Sequence, residues 1–229
     1  MVVITGASDG IGKQVALKLA KENTRLALIG RSETRLKKVE KEAKRLGVVE
    51  ARIYPCDIRK IADLKKTARL ITSDFDDIDI LLNIAGIWQK LNPLENISET
   101  VVDDIIQTNL TGLIHFTRLL LPYLKKQTEA IIINVSSKSG FTAQEGQSIY
   151  TASKYGVRGF TEVLKVDLKG SNIRVAGVYQ SGTNTKMFVK TGDHPPVEKF
   201  TNPADLADVI VYMLSRPKQI WLHDVRVEY

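Results

Sequence analysis

The stretch "VVITGASDGIG", residues 2–12, places a short apolar run directly before a turn that contains Gly6, Gly10 and Gly12. A helical pattern follows at once, so the segment predicts a strand, a tight turn and the start of a helix. Glycines let the backbone approach a pyrophosphate, and a helix N-terminus offers free N–H groups. The turn therefore predicts dinucleotide binding, with a bare strand-to-helix turn as the alternative. Its expected contacts are Gly6, Ser8, Asp9, Gly10, Ile11 and Gly12.

Short β-rich runs alternate with helical patterns along the rest of the chain. Strands are predicted at 2–5, 25–29, 51–55, 78–82, 130–135, 172–178 and 220–227, and helices at about 11–22, 33–46, 60–73, 98–126, 149–169 and 203–215. Unbroken apolar strands between helices are typical of a parallel sheet with both faces covered. The pattern predicts a doubly wound (Rossmann-type) α/β fold, with a mostly parallel seven-stranded sheet and helices on both faces.

One long segment, residues 183–203, lacks clear periodicity and contains a Pro195–Pro196 pair. Long loops in compact domains are often active-site lids, and this one begins where a strand of a doubly wound sheet ends. We therefore expect a single NAD(P)-binding domain over residues 1–229, with a substrate lid at about 183–203.

Composition narrows the classes of partner. The chain has 229 residues, of which 43% are hydrophobic, and shows no apolar run of membrane-spanning length and no export signal. We therefore expect a cytoplasmic protein with no membrane partner.

The net charge is +7, but the densest basic segment, residues 31–47, interleaves acids and apolar residues at helical spacing. That pattern is typical of a solvated helix face, so no nucleic acid partner is expected. The lone Cys56 and three scattered histidines predict neither a disulfide nor a metal site.

The end of the second predicted strand indicates which dinucleotide binds. It reads "LALIGRS", with Arg31 and Ser32 at its end and no acid before Glu33. A carboxylate there is typical of NAD sites, whereas an arginine accommodates the 2′-phosphate of NADP. The sequence therefore favours NADP(H), with NAD(H) as the alternative; Asp9 in the glycine turn argues in the other direction.

Further short motifs occur in a fixed order: "CDI" at 56–58, "NIAG" at 83–86, "TNL" at 108–110, "NVSSKSG" at 134–140 and "YTASK" at 150–154. Together with the glycine turn, they resemble the short single-domain branch of the short-chain dehydrogenase/reductase family over essentially the whole chain. The resemblance implies an enzyme that interconverts a small-molecule carbonyl and an alcohol with NAD(P). It also implies a homodimer or homotetramer, which agrees with the long apolar stretches at 98–126 and 149–169.

The resemblance assigns residues to the site. The implied catalytic residues are Asn109, Ser137, Tyr150 and Lys154, and Ser137 is preferred to Ser136 or Ser139 because it lies 13 positions before Tyr150. The implied cofactor contacts beyond the glycine turn, Arg31 and Ser32 are Asp57, Ile58, Asn83, Ala85, Gly86, Tyr150, Lys154, Ser181, Thr183 and Thr185. The chain departs from the family at Gln180 and Ser181, which occupy the positions of the usual Pro-Gly.

The pair Tyr150 and Lys154 carries the expected chemistry. Residues four apart share a helix face, so the spacing alone also fits an ordinary helix. A free phenol has a pKa of about 10, and a nearby ammonium lowers it. We therefore expect Lys154 to lower the pKa of Tyr150, which acts as general acid in reduction and as base in oxidation. By resemblance, Lys154 also holds the ribose hydroxyls, Ser137 the substrate oxygen and Asn109 a water.

Two of these residues have a structural alternative. Ser137 can be a simple strand-end hydroxyl, and Asn109 can pin its helix through a backbone bond. The alternative function is a non-catalytic NADP-binding regulator of the same fold. The substrate pocket is expected among Ile87, Trp88 and Gln89, residues 138–147 and the lid.

Overall fold

The computed structural model describes residues 1–228 and contains one seven-stranded sheet. Its strands are β1 (Val2–Thr5), β2 (Arg25–Gly30), β3 (Glu50–Pro55), β4 (Ile80–Asn83), β5 (Ala130–Val135), β6 (Ile173–Gln180) and β7 (Asp224–Val227). The strand order is β3-β2-β1-β4-β5-β6-β7, and every neighbouring pair is parallel. The predicted doubly wound α/β fold is confirmed.

Helices cover both faces of this sheet. They are α1 (Gly10–Leu19), α2 (Glu33–Arg45), α3 (Ile61–Asp74), α4 (Glu99–Ile106), α5 (Gly112–Leu124), α6 (Ser148–Asp167) and α7 (Pro203–Leu214). Successive side chains of a strand point to opposite faces. In β1, Val2 and Ile4 join the apolar cluster under α1, α2 and α7, whereas Val3 joins the cluster under α3, α5 and α6. The continuous apolar strands therefore supply two cores, one on each face.

The strand order reverses direction between β1 and β4, which places a crevice at their carboxyl ends. Thr5, the last residue of β1, lies in register with Asn83, the last residue of β4. The Thr5 hydroxyl accepts hydrogen bonds from the backbone N–H groups of Ile84 and Ala85, at 3.0 and 3.2 Å. These bonds hold the two strand ends side by side and form the floor of the crevice.

The structure corrects two predicted elements. The helix expected at 98–126 is not continuous, because a π-helical turn at Gln107–Thr111 separates α4 from α5. The last strand spans only Asp224–Val227 rather than 220–227. The backbone N–H of Ile220 bonds to the Pro217 carbonyl and the Trp221 indole donates to the Val175 carbonyl, so this stretch turns before the strand begins. Within residues 1–228, no helix combines the length and hydropathy needed to span a bilayer.

Candidate active site

The carboxyl ends of β1 to β4 border a groove of about 340 Å³. Gly12 packs so closely on the glycine turn that a Cβ atom there would lie 2.4 Å from the Gly6 carbonyl oxygen. Gly6 has a φ of +71°, which glycine adopts without strain. These two glycines therefore let the N-terminus of α1 reach the groove. Of the predicted cofactor contacts, the groove is lined by Gly6, Ser8, Asp9, Gly10, Ile11, Gly12, Arg31, Asp57, Ile58, Ala85, Gly86 and Thr185.

Two arginines, Arg31 and Arg35, line the groove beside the N-terminus of α2. Arg31 follows β2, and Arg35 lies in the first turn of α2, where its backbone N–H donates to the capping hydroxyl of Ser32. Sequence reasoning missed Arg35. Its position in the sequence could have identified Arg35, because it lies one helix turn after Arg31, and Ser32, which caps α2, lies between them.

Asp9 lies between cations at the same end of the groove. Its carboxylate is 3.1 Å from Lys190 Nζ and 3.5 Å from an Arg35 nitrogen, and it also accepts from the Gly10 N–H. Burial alone would raise the pKa of Asp9, but the bond to Lys190 and the Gly10 and Arg35 contacts bring it below its ordinary value. Asp9 thus stays ionised, and it tethers the 183–203 segment to the glycine turn through Lys190.

Asp57 and Ile58 follow β3 and form another part of the groove wall. The Asp57 carboxylate accepts from the Arg59 guanidinium at 2.6 to 3.1 Å, and this hydrogen bonding lowers the pKa of Asp57. Arg59 also pairs with Asp104 in α4. The Asp57 side chain is therefore fixed by protein contacts, and the end of β3 is tied to α4.

Tyr150, Lys154 and Ser137 form a buried cluster where α6 passes the end of β5. Tyr150 and Lys154 are each 5% exposed and Ser137 is 8% exposed. The Lys154 ammonium lies 5.6 Å from the Tyr150 ring centroid and donates to the Val135 carbonyl at 3.3 Å. Tyr150 and Lys154, one helix turn apart, therefore lie close together in a buried site of low dielectric constant.

The protonation of this cluster departs from the sequence expectation. Burial raises the pKa of Tyr150 to about 12, although its hydrogen bond with Ser137 acts in the opposite direction. Burial also lowers the pKa of Lys154 to about 8. Both shifts have one cause, since a buried site disfavours the charged form of each group. The phenol is therefore a proton donor near neutrality, and the ammonium is close to its point of titration.

The three neighbouring serines have separate partners. Ser136 donates to the backbone carbonyl of Lys154 at 3.0 Å, and Ser139 donates to the Gln147 side chain at 3.0 Å. Ser137 accepts from the Ser139 N–H at 3.2 Å and is the serine that hydrogen-bonds to Tyr150. The structure thus brings Ser137 to the tyrosine and leaves the other two serines in structural bonds.

Asn109 lies within the π-helical turn. Its amide exchanges two hydrogen bonds with the backbone of Ile87, at 2.8 and 3.0 Å, and donates to the Ser153 hydroxyl at 3.1 Å. Such turns often occur at functional sites, because the extra residue redirects a side chain. The Asn109 amide fixes the loop after β4, and a Cβ atom at Gly86 would lie 3.3 Å from its Oδ1 and 3.6 Å from Lys154 Nζ. Asn109 and Lys154 therefore both approach the groove wall at Gly86.

Trp88 covers the cluster. Its ring packs edge-on against Tyr150 with centroids 4.6 Å apart and against Phe188 at 5.2 Å. The indole N–H donates to Asp193 at 2.8 Å. Trp88 also lines a second cavity of about 380 Å³, between the loop at 87–98 and α4. The 183–203 segment is thus attached to the aromatic ring that shields Tyr150.

The family model described as short chain dehydrogenase matches residues 1–196.

The chain belongs to the short-chain dehydrogenase family.

Curated relatives of this short-chain dehydrogenase carry the same broad description. An uncharacterized oxidoreductase of Listeria innocua is 30% identical over 237 residues, covering 99% of this chain and 95% of the relative. An uncharacterized oxidoreductase of Staphylococcus epidermidis is 28% identical over 230 residues, covering 99% and 96%. The protein is therefore an oxidoreductase, and the match spans nearly all of this chain and of each relative.

Solved structures similar to this short-chain dehydrogenase agree in fold. An alcohol dehydrogenase from the archaeon Thermococcus sibiricus, complexed with 5-hydroxy-NADP, has a TM-score of 0.90 at 25% identity, covering 99% of this chain and 94% of that one. A metagenomic short-chain oxidoreductase in complex with NADP has a TM-score of 0.86 at 28% identity, covering 100% and 96%. A closed form of serine dehydrogenase complexed with NADP+ has a TM-score of 0.90 at 26% identity, covering 99% and 93%.

Some predicted contacts of this short-chain dehydrogenase lie outside the groove lining: Ser32, Asn83, Tyr150, Lys154, Ser181 and Thr183. The Asn83 amide is buried and donates to Thr117 of α5 and Asn134 of β5 at 2.9 and 2.8 Å. Thr183 pairs with Thr201 at the base of the 183–203 segment. Besides Arg35, the groove residues that the sequence did not single out include Ile84, Thr108, Lys186 and Lys190.

Proposed function

We propose that this short-chain dehydrogenase is an NADP(H)-dependent enzyme that interconverts a ketone or aldehyde and the corresponding alcohol, with Tyr150 as general acid and base. The observation that carries the proposal is the buried Ser137, Tyr150 and Lys154 cluster directly behind the groove wall at Gly86. Burying an ammonium beside a phenol costs free energy, because the charge is removed from water, and a purely structural role gains little from it. Beside a reacting oxygen the same pair has a use in proton transfer.

The groove fits a nicotinamide dinucleotide. A pyrophosphate would lie on the N-terminus of α1, where Asp9 caps the helix and the glycine turn leaves the backbone open. Lys154 has three ammonium protons, and its bond to the Val135 carbonyl uses one of them. The remaining protons can bind ribose hydroxyls past Gly86, which has no side chain to block the approach. When bound, the reduced nicotinamide would supply a hydride to the carbonyl carbon and become oxidised.

Residues of the chain itself carry out the proton transfer. The carbonyl oxygen gains negative charge as the carbon is reduced, and Tyr150 Oη transfers its proton to that oxygen as its own O–H bond breaks. Ser137 donates its single hydroxyl proton to the same oxygen. Lys154 stabilises the phenolate, which is reprotonated from solvent through a water held near Asn109. In alcohol oxidation the phenolate accepts the proton instead.

The activity is tested by following NADPH consumption over a panel of ketones and aldehydes and by detecting the alcohol formed in equal amount. We expect turnover with at least one carbonyl class. NADPH binding without turnover on any carbonyl or alcohol of the panel would favour the non-catalytic regulator. The closely similar solved structures include an alcohol dehydrogenase, which supports the carbonyl and alcohol pair.

Cofactor preference is proposed to depend on the arginines beside α2. Arg31 and Arg35 line the groove there, and the metagenomic oxidoreductase of similar structure holds NADP. Charge-assisted hydrogen bonds are worth more than neutral ones, so Arg31→Ala should weaken NADPH binding by about 10- to 100-fold and leave NADH binding within about threefold. Fluorescence titration of both nucleotides measures this. Arg45→Ala, an exposed arginine at the other end of α2, is the matched control, and an unchanged NADPH preference in Arg31→Ala would contradict the proposal.

The segment 183–203 is proposed to act as the substrate lid. Its base is closed by the backbone bonds from Asn184 to Thr201 and from Thr201 to Gly182, at 2.9 and 3.1 Å. Its far part reaches back to the site through the Trp88–Asp193 bond. Beyond its pinned ends the loop is held by two polar contacts, Trp88–Asp193 and Asp9–Lys190, and it can open without disturbing the sheet.

Trp88→Phe removes the indole N–H and keeps an aromatic ring over Tyr150. We expect the KM for the carbonyl substrate to rise about 3- to 10-fold with kcat nearly unchanged, because one hydrogen bond that favours the closed loop is lost. Limited proteolysis should show faster cleavage within 183–203. Trp221→Phe, which removes an indole bond to the Val175 carbonyl at the distant edge of the sheet, should change neither value. An unaltered KM and cleavage rate in Trp88→Phe would refute the lid contact.

Self-association as a homodimer or homotetramer is part of the same proposal. Val163 and Val166 on α6 are 58% and 73% exposed, and Tyr155 on the same helix is 43% exposed. This apolar surface supports the association expected from the sequence, and light scattering measures it.

A further inference from the structure

Gln89 is the third of three consecutive residues that join the loop after β4 to the catalytic cluster. The backbone of Ile87 is held by Asn109, and the ring of Trp88 packs on Tyr150. Gln89 is only 1% exposed; it is not among the residues that line the groove, and it borders the second cavity. Both polar atoms of its amide group are engaged, the oxygen by the first turn of α6 and the nitrogen by Gly146 just before that helix.

The Gln89 amide caps α6 from outside that helix. Its Oε1 accepts hydrogen bonds from the backbone N–H groups of Ile149 and Tyr150, at 3.0 and 2.8 Å. Its Nε2 donates to the Gly146 carbonyl at 3.0 Å. The first N–H groups of a helix have no partner within the helix, and a side chain at the N-cap position usually satisfies them. In α6 the N-cap residue, Gln147, makes no such side-chain bond.

We propose that Gln89 is a positioning residue for Tyr150, which it holds at a fixed distance from the cofactor groove. The inference rests on the proposed function, because it assigns Gln89 to the proton donor of that reaction. One acceptor atom fixes the backbone N–H of the catalytic tyrosine itself, and the loop that carries this atom also forms the groove wall. Tyr150 and the wall therefore keep one relative position. Without this bond, the first turn of α6 can shift against the wall.

The position of a general acid is critical, because a displacement of about 1 Å at the reacting atoms costs about 100-fold in rate. In Gln89→Leu both the acceptor and the donor are lost while the side-chain volume is nearly kept. We expect kcat to fall about 10- to 100-fold, with the dissociation constant of NADPH unchanged, since the glycine turn and Arg31 are untouched. Gln89→Glu keeps an acceptor for both N–H groups and should recover most of the lost kcat.

The matched control is Asn172→Leu. The Asn172 amide also bonds two backbone groups, the carbonyls of Leu124 and Gln127, but at the opposite edge of the sheet. This variant should lose thermal stability while its kcat stays near that of the wild type. If Gln89 positions Tyr150, Gln89→Leu should lower kcat far more than Asn172→Leu does at a comparable loss of stability.

The experiment compares kcat, KM, NADPH binding and the unfolding temperature of wild type, Gln89→Leu, Gln89→Glu and Asn172→Leu. A folded Gln89→Leu protein with wild-type kcat overturns the proposal. So does a loss of kcat and NADPH affinity in equal proportion, which indicates general loosening. If Gln89→Leu does not fold, Gln89→Asn retains the amide on a shorter side chain and should lower kcat at least tenfold; wild-type kcat there also overturns the proposal. Failure of the proposed function is distinct, because activity would then survive Tyr150→Phe.

Discussion

Tyr150→Phe should lower kcat by about 1,000-fold while NADPH binds as tightly as it does to the wild type. A positioned general acid contributes about 10² to 10⁴ in rate, and this substitution removes only the phenolic hydroxyl group. The ring that contacts Trp88 remains, so the buried packing of the site is preserved. NADPH titration followed by steady-state turnover on the active carbonyl separates binding from catalysis.

Tyr155→Phe provides the control on the same helix. Tyr155 is 43% exposed, and its hydroxyl donates to the Phe141 carbonyl at 2.7 Å, away from the groove. This variant should retain most of the wild-type kcat. Activity above about a tenth of wild type in Tyr150→Phe would show that another group donates the proton.

Lys154→Met should lower kcat about 100-fold or more and should also weaken NADPH binding. The variant removes the cation that stabilises the phenolate and the protons available to ribose hydroxyls, but it keeps an unbranched side chain in the buried site. Lys165→Met, farther along the same helix where the partly buried Lys165 pairs with Glu162 and Asp224, should remain close to wild type. Intact NADPH affinity in Lys154→Met would restrict its role to the proton step.

The pH profile of the wild type provides a second measurement of Lys154. Because burial lowers the pKa of Lys154 to about 8, the ammonium is present below that pH and is lost as the pH rises through it. Carbonyl reduction should therefore be steady below pH 8 and should fall up to tenfold per pH unit above it. The Lys154→Met variant should lack this alkaline decline. A decline retained in Lys154→Met would assign it to a different group.

Some of this site followed directly from local patterns. The glycine turn needs an apolar strand before it and a helix after it, and neighbouring stretches of the sequence predict all three. Arg31 was found in the same way, because it follows the strand that borders the groove. The Pro-Gly replacement at Gln180 and Ser181 was also visible, and the structure places both side-chain oxygens in buried positions without a hydrogen-bond partner within residues 1–228.

Other features were not visible in local patterns. Nothing near Asn109 distinguishes a π-helical turn from an ordinary helix, because the groups that bond its side chain belong to Ile87 and Ser153. The direction of the Tyr150 pKa was mispredicted for a related reason. The spacing to Lys154 shows that a cation is near, but it does not show how completely the phenol is removed from water.

The resemblance to the family pointed to the tyrosine and lysine pair, and the sequence by itself determined the strand and helix order, the parallel sheet and the glycine turn. These depend on residues close together in the chain, whose conformational preferences and hydrophobic periodicity are local. Only the tertiary structure decided that Ser137 faces Tyr150, that Trp88 shields it and that Gln89 caps its helix. Gln89 and Tyr150 are 61 positions apart, and their contact exists only after the sheet brings the ends of β4 and β5 together.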